Sequence, residues 1–151
     1  MSACPRRAPA IDGPFNDCVV EIDLVDGHVS TLIDGFVKPV GVVRLGSSVL
    51  VADARQRAVY RVELRAGKAV VCVRLASEID RPDSICACAP ESALVSCYDE
   101  SARRGSIRQL WLDGRTRTIV SGIWEPRGIA TDGQRVFVAA RRASRVLVVS
   151  L

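Results

Sequence analysis

Apolar residues along the chain come in short bursts separated by Gly-, Asp- and Arg-containing breaks, and the bursts alternate. In the run Val59 to Leu64, Tyr60, Val62 and Leu64 fall on one side and Arg61, Glu63 and Arg65 on the other. That is the period-two pattern of a half-buried strand. A helical period survives only over Glu91 to Arg104, where Ala93, Leu94 and Cys97 could share a face. The pattern therefore predicts an all-β protein of many short strands.

The bursts repeat. Pro39, Pro82 and Pro126 each precede an apolar run, and they stand 43 and 44 residues apart, a period in the range of four-stranded propeller blades. Each unit opens with a short first run (Val40 to Arg44, Ser84 to Cys88, Gly128 to Thr131). A turn (Gly46-Ser47, Pro90-Glu91, Asp132-Gly133) leads to a second run (Val49 to Ala52, Leu94 to Ser96, Val136 to Ala139). An Arg-rich polar loop then precedes a third run (Val59 to Leu64, Ile107 to Leu112, Val146 to Leu151). In the first two units a fourth run follows, Ala69 to Val73 and Thr116 to Val120. Because Leu94 to Cys97 aligns with the second run of its neighbours, strand is preferred over helix there.

Third- and fourth-strand signatures also stand at the front, Cys18 to Leu24 and His28 to Ile33, joined by Asp26-Gly27. Asp-Gly between two strand-like runs predicts a tight hairpin with positive φ at both turn positions. The sum is about thirteen strands in a partial β-propeller of four-stranded antiparallel blades. Residues 1–17 form a poorly ordered lead-in, 18–35 a partial blade, 36–78 and 79–122 full blades, and 123–151 a further partial blade.

On these residues the chain resembles the NHL-repeat class of β-propeller. Pro39-Val40-Gly41-Val42, Val49-Leu50-Val51-Ala52-Asp53 and Gln56-Arg57-Ala58-Val59-Tyr60-Arg61-Val62 follow that pattern. The last unit matches as Pro126-Arg127-Gly128-Ile129-Ala130, Val136-Phe137-Val138-Ala139 and Ser144-Arg145-Val146, with Ala140 where the class usually has Asp. The middle unit departs most, with Pro82-Asp83-Ser84-Ile85 lacking the Gly and Asp99 lying further along. The resemblance implies a propeller and leaves function open, because this architecture serves enzymes, nucleic-acid binders and interaction modules alike.

Composition fits a folding domain, with 48% hydrophobic against 25% charged residues, 22 valines and only 5% aromatics. The net charge of +4 is unevenly placed: residues 101–151 hold ten Lys+Arg and three Asp+Glu. Arg55 and Arg57, Arg103 and Arg104, and Arg141 and Arg142 fall in corresponding loops between second and third strands. They form a candidate binding rim. Single-stranded RNA is one ligand such a rim could take, although the aromatics that would stack on bases fall mostly in core-facing runs. Met1 to Ala10 lacks the apolar core of a signal peptide, and no run approaches the ~20 residues of a membrane helix. A cytoplasmic chain with no membrane association is the expectation, and with it free thiols at Cys4, Cys18, Cys72, Cys86, Cys88 and Cys97.

Candidate chemistry is sparse. His28 follows a turn and should be exposed, which leaves no base for a nucleophilic triad. Cys86 and Cys88 share a strand face and Cys97 could approach them to bind zinc, but small thiols also suit packing between blades. Asp53 is expected to order its own loop. Asp99, Asp132 and Glu125 lie in loops and turns, and Asn16 stands outside the repeats. No catalytic residue, cofactor or metal is assigned on these grounds. The expected function is a non-catalytic protein-interaction scaffold; single-stranded RNA binding is the alternative, and a remnant of a propeller hydrolase or lactonase the third reading. Three blades leave a ring open, so self-association or missing blades should close it.

Overall fold

The computed structural model describes residues 17–77 and 79–151. Nearly all of the lead-in, with Cys4 and Asn16, lies outside the described residues. Within them thirteen strands and one short 3-10 helix form four antiparallel sheets. β1 (Val19–Ile22) and β2 (Val29–Ile33) make a hairpin. β3 (Pro39–Leu45), β4 (Ser48–Asp53), β5 (Ala58–Arg65) and β6 (Lys68–Ala76) follow one another across the first full blade. β7 (Pro82–Ala89), β8 (Ser92–Asp99), β9 (Arg104–Trp111) and β10 (Thr116–Ile123) repeat that order in the second. β11 (Pro126–Thr131), β12 (Arg135–Ala140) and β13 (Arg145–Ser150) make a three-stranded third sheet. The fold is an all-β partial propeller, and Glu91 to Arg104 is strand and loop rather than helix.

The repeating prolines are the first residues of β3, β7 and β11. At the first position of a strand the missing N–H costs no ladder bond. These three first strands stand side by side as the inner wall, and the later strands run outward.

Apolar side chains fill the layers between sheets. β4 is buried along its whole length because both of its faces are covered. Leu50 and Ala52 meet Ile85, Val95 and Cys97 of the second blade, whereas Val49 and Val51 join Phe36 and Tyr60 beneath the β1–β2 hairpin. β8 repeats the arrangement, with Leu94 turned to Val136 and Val138 of the third sheet. Each fully buried Val or Leu contributes roughly 1.5–3 kcal/mol. Gly105 marks the closest approach of the second and third sheets, since a Cβ there would overlap the Cys97 carbonyl oxygen and stand 2.5 Å from Pro126 Cδ.

The Asp-Gly turns differ from expectation. Among described residues the turn with positive φ at both centres is Ala66-Gly67, at 49° and 75°, between the paired residues Arg65 and Lys68. At Asp26-Gly27, Asp113-Gly114 and Asp132-Gly133 only the glycine has positive φ. There the aspartate instead accepts a bond from a backbone N–H two residues on: His28, Arg115 or Gln134. Hydrogen bonding by the short carboxylate stabilises a longer loop over the two-residue turn.

Candidate functional site

The loops leading into the first strands and those linking second to third strands meet at one end of the inner wall. At this mouth Asp53, the last residue of β4, is fully buried. Its Oδ2 accepts the N–H groups of Val37 (2.7 Å) and Lys38 (3.2 Å), and Oδ1 those of Arg55 (3.0 Å) and Gln56 (2.9 Å). Asp53 thus orders its own loop and also ties it to the segment entering β3. Asp99 serves only its own loop, accepting the N–H and hydroxyl of Ser101 at 2.8 and 2.6 Å.

Further round the wall the chemistry changes. Asp83 and Arg127 are the second residues of β7 and β11, one period apart, and their side chains pair at 2.6 Å. Arg127 reaches Glu125 at 2.7 Å with its other amino group, and its guanidinium carbon lies 5.8 Å from the centre of the Tyr98 ring. Glu125 is 6% exposed and also receives Arg141 at 3.0 Å and Arg142 at 3.1 Å. The Arg127 hydrogen bond, with the positive charges of Arg141 and Arg127, holds the Glu125 carboxyl below its ordinary value against the opposing effect of burial. The same contacts with Glu125 and Asp83 raise Arg127. The sequence signal for this cluster is opposite charge at equivalent positions 44 residues apart.

The six rim arginines are divided among separate partners. Arg55 and Arg57 line a cleft of about 470 Å³ that also includes Asp80, Tyr98 and Ser101, and Arg57 pairs with Asp80 at 2.6 Å. Arg103 is exposed at φ 53°. Arg104 turns outward, donating to the Gly122 carbonyl at 2.8 Å and stacking 3.6 Å from the centre of the Trp124 ring. Arg141 and Arg142, in the 3-10 helix, both join Glu125.

Cys86, Cys88 and Cys97 do not converge. Cys97 packs against the first blade, and Cys86 and Cys88 face the third sheet, on the opposite side of their own sheet. Burial pushes the thiols of Cys86 and Cys97 up to about 11 and about 12. His28 is exposed beside its turn.

No protein-family profile matches the chain, and no curated protein matches it. Solved structures do. A gluconolactonase from Xanthomonas campestris superposes with a TM-score of 0.76 at 14% identity, over 95% of this chain and 47% of its own. Virginiamycin B lyase from Staphylococcus aureus gives 0.64 at 17% identity, over 90% and 45%. The calcium-binding protein regucalcin from Agrobacterium tumefaciens gives 0.63 at 16% identity, over 90% and 47%. The chain is part of a β-propeller. It spans about half the length of the structures it matches. At these identities the likeness establishes the fold, and the narrower NHL kinship stays a resemblance. The expectation of a non-catalytic scaffold is corrected: solved structures sharing this architecture include a gluconolactonase and a lyase, so the architecture gives no ground for excluding catalysis.

The calcium binding stated for regucalcin raises a test of fit. Calcium takes roughly six to eight oxygen ligands. At the inner wall of this chain Asp83 offers one carboxylate, already paired with Arg127. Among the described residues no group of three or more His, Cys, Asp or Glu gathers to hold a metal. The donor set of the described inner wall does not fit a divalent ion.

Proposed function

We propose that the chain is half of a ring-shaped hydrolase that opens a cyclic ester, with the inner mouth as its substrate face. The observation that carries this reading is the superposition of nearly the whole chain on about half of a gluconolactonase. Fold likeness alone is a weak warrant, and the chemistry at the mouth supplies the second support. Asp83, half-buried, can accept a proton from an attacking water and orient it. Arg127 spends two of its donors on Asp83 and Glu125 and has further N–H groups for a carbonyl oxygen that gains negative charge. Water adds to the ester carbon, the ring C–O bond breaks, and the water proton ends on the departing alkoxide oxygen, giving a hydroxy acid. Three arginines against two carboxylates leave the cluster net positive, which favours the anionic product.

Base uptake at constant pH, with D-glucono-δ-lactone and an unsubstituted δ-lactone, tests the reading. The expected result is turnover above the buffer rate that falls about 100-fold or more in Asp83→Asn. Hydrolysis no faster than buffer, or a rate indifferent to Asp83→Asn, would overturn it.

A further inference from the structure

The two ends of the blade array are complementary, and we propose that a second copy of this chain closes the ring by joining them head to tail. This rests on the half-ring reading of the proposed function and names what supplies the other half of the mouth.

The first support is shape. Beside the free edge of β1, an apolar cleft of about 470 Å³ is lined by Val19, Val20, Val40, Val42 and Val51. It lies inward of a hairpin that corresponds to the third and fourth strands of a blade, which is where a first and a second strand belong. β11 and β12 are such a pair, and their face turned away from the second blade carries Ala130, Phe137 and Ala139.

The second support is register. In the first blade Val49 pairs with Val62, Val51 with Tyr60 and Ala52 with Val59. Carrying that pairing over by the repeat sets Val136 opposite the second copy's Ile22, Val138 opposite its Val20 and Ala139 opposite its Val19. The faces then agree. Val19 already packs against the first blade, so Ala139 turns the same way, and Ile22, 54% exposed, is covered on the side where Val136 and Val138 are buried. β13 buries none of its six residues, and at the joint its antiparallel ladder with β12 is exchanged for the corresponding ladder with the second copy's β1.

The third support is charge. Residues 17–37 carry five carboxylates and no Lys or Arg, whereas residues 124–151 carry five arginines and two carboxylates. Opposite fields favour the pairing of unlike ends, and a head-to-tail contact that closes makes a ring rather than a filament. Each copy covers slightly under half of a gluconolactonase, so two copies make one ring.

Sedimentation equilibrium of the 151-residue chain at micromolar concentration tests the proposal. The expected result is a discrete dimer that dissociates as salt is raised. Ile22→Asp, at a site exposed in the single chain, should weaken association at least roughly tenfold with unchanged circular dichroism, and Ala139→Arg should do the same from the other side of the joint. A monodisperse monomer, open-ended aggregation, or a dimer indifferent to both changes would overturn the proposal. Its failure is separable from that of the hydrolase reading: a monomer that opens lactones sinks the joint alone, and a dimer without turnover sinks the activity alone.

Discussion

The entry loops of the first full blade and of the third sheet occupy the same place in the repeat, yet each holds together by different chemistry. In the first, Asp53 at the end of the second strand receives four backbone N–H groups from its own loop and from the segment before Pro39. In the third, Ala140 stands at that position and pairs with Pro126 as Asp53 does with Pro39. The carboxylate there comes from Glu125, before the proline, and its partners are three arginine side chains. A buried carboxylate spent on backbone amides is structural and silent. One spent on arginines gathers charge at a solvent-facing mouth, and that is why the third sheet, rather than the first blade, carries candidate chemistry.

The largest effect expected from breaking this contrast is at Asp53. Asp53→Ala leaves four backbone N–H groups without their buried acceptor, and a group left unsatisfied costs about 1–3 kcal/mol. Some gain water once the loop loosens, so the loss of unfolding free energy in urea should be about 3 kcal/mol. Asp53→Asn keeps one acceptor oxygen and should lose about half as much. Equal stability of Asp53→Ala and the native chain would show that these amides do not depend on Asp53 in solution.

How far the sequence revealed these regions follows from the same difference. Asp53 was legible because its role is local: an aspartate just past an apolar strand bonds the backbone two and three residues on. The tie to Val37 and Lys38 spans sixteen and fifteen residues and needs the sheet. The blades were legible because the prolines recur with the period of the fold. The charged cluster was not, because Arg127 meets Asp83 only once neighbouring first strands lie side by side, and because Glu125 is turned inward by a left-handed backbone, φ 48°, that no glycine or asparagine announced. The turns misled for a third reason, since Asp-Gly encodes a two-residue hairpin and an aspartate-capped loop equally well. For the thiols, alternation along β7 placed Cys86 and Cys88 on one face, but which face Cys97 of β8 shares depends on registry between strands.

A smaller, pH-dependent effect distinguishes Glu125. Its folded-state acidity is strengthened, first by the hydrogen bond from Arg127. A carboxyl with a lowered folded value contributes stability that is fully present above the unfolded value near 4.5 and is lost as the pH falls through the folded value. Glu125→Gln should therefore be less stable than the native chain at neutral pH, with the gap narrowing below about 4.5. Asp99, Asp113 and Asp132 are also lowered, so both proteins still weaken in acid and the difference between their urea midpoints is the quantity to follow. A gap that stays constant down to pH 3 would mean that the arginines do not hold Glu125 in solution.

The smallest effect lies at Arg104, which marks the outer limit of the charged region. Its guanidinium carbon stands 3.6 Å from the centre of the Trp124 ring, and the side chain donates to the Gly122 carbonyl. Gly122 stands near the end of β10, and Trp124 lies in the segment entering the third sheet, one residue before Glu125. Trp124 is 42% exposed, and an exposed cation–π contact contributes only about 0.5–1 kcal/mol. Arg104→Ala should lower stability by about that much and shift the tryptophan emission to the red as the ring gains water. If Arg104 belongs to a binding rim together with Arg141 and Arg142, its removal should also change lactone turnover. If it only clamps the segment that presents Glu125, turnover should hold while the emission shifts. The contacts favour the second outcome, because Arg104 points away from the inner wall and the other two arginines converge on Glu125.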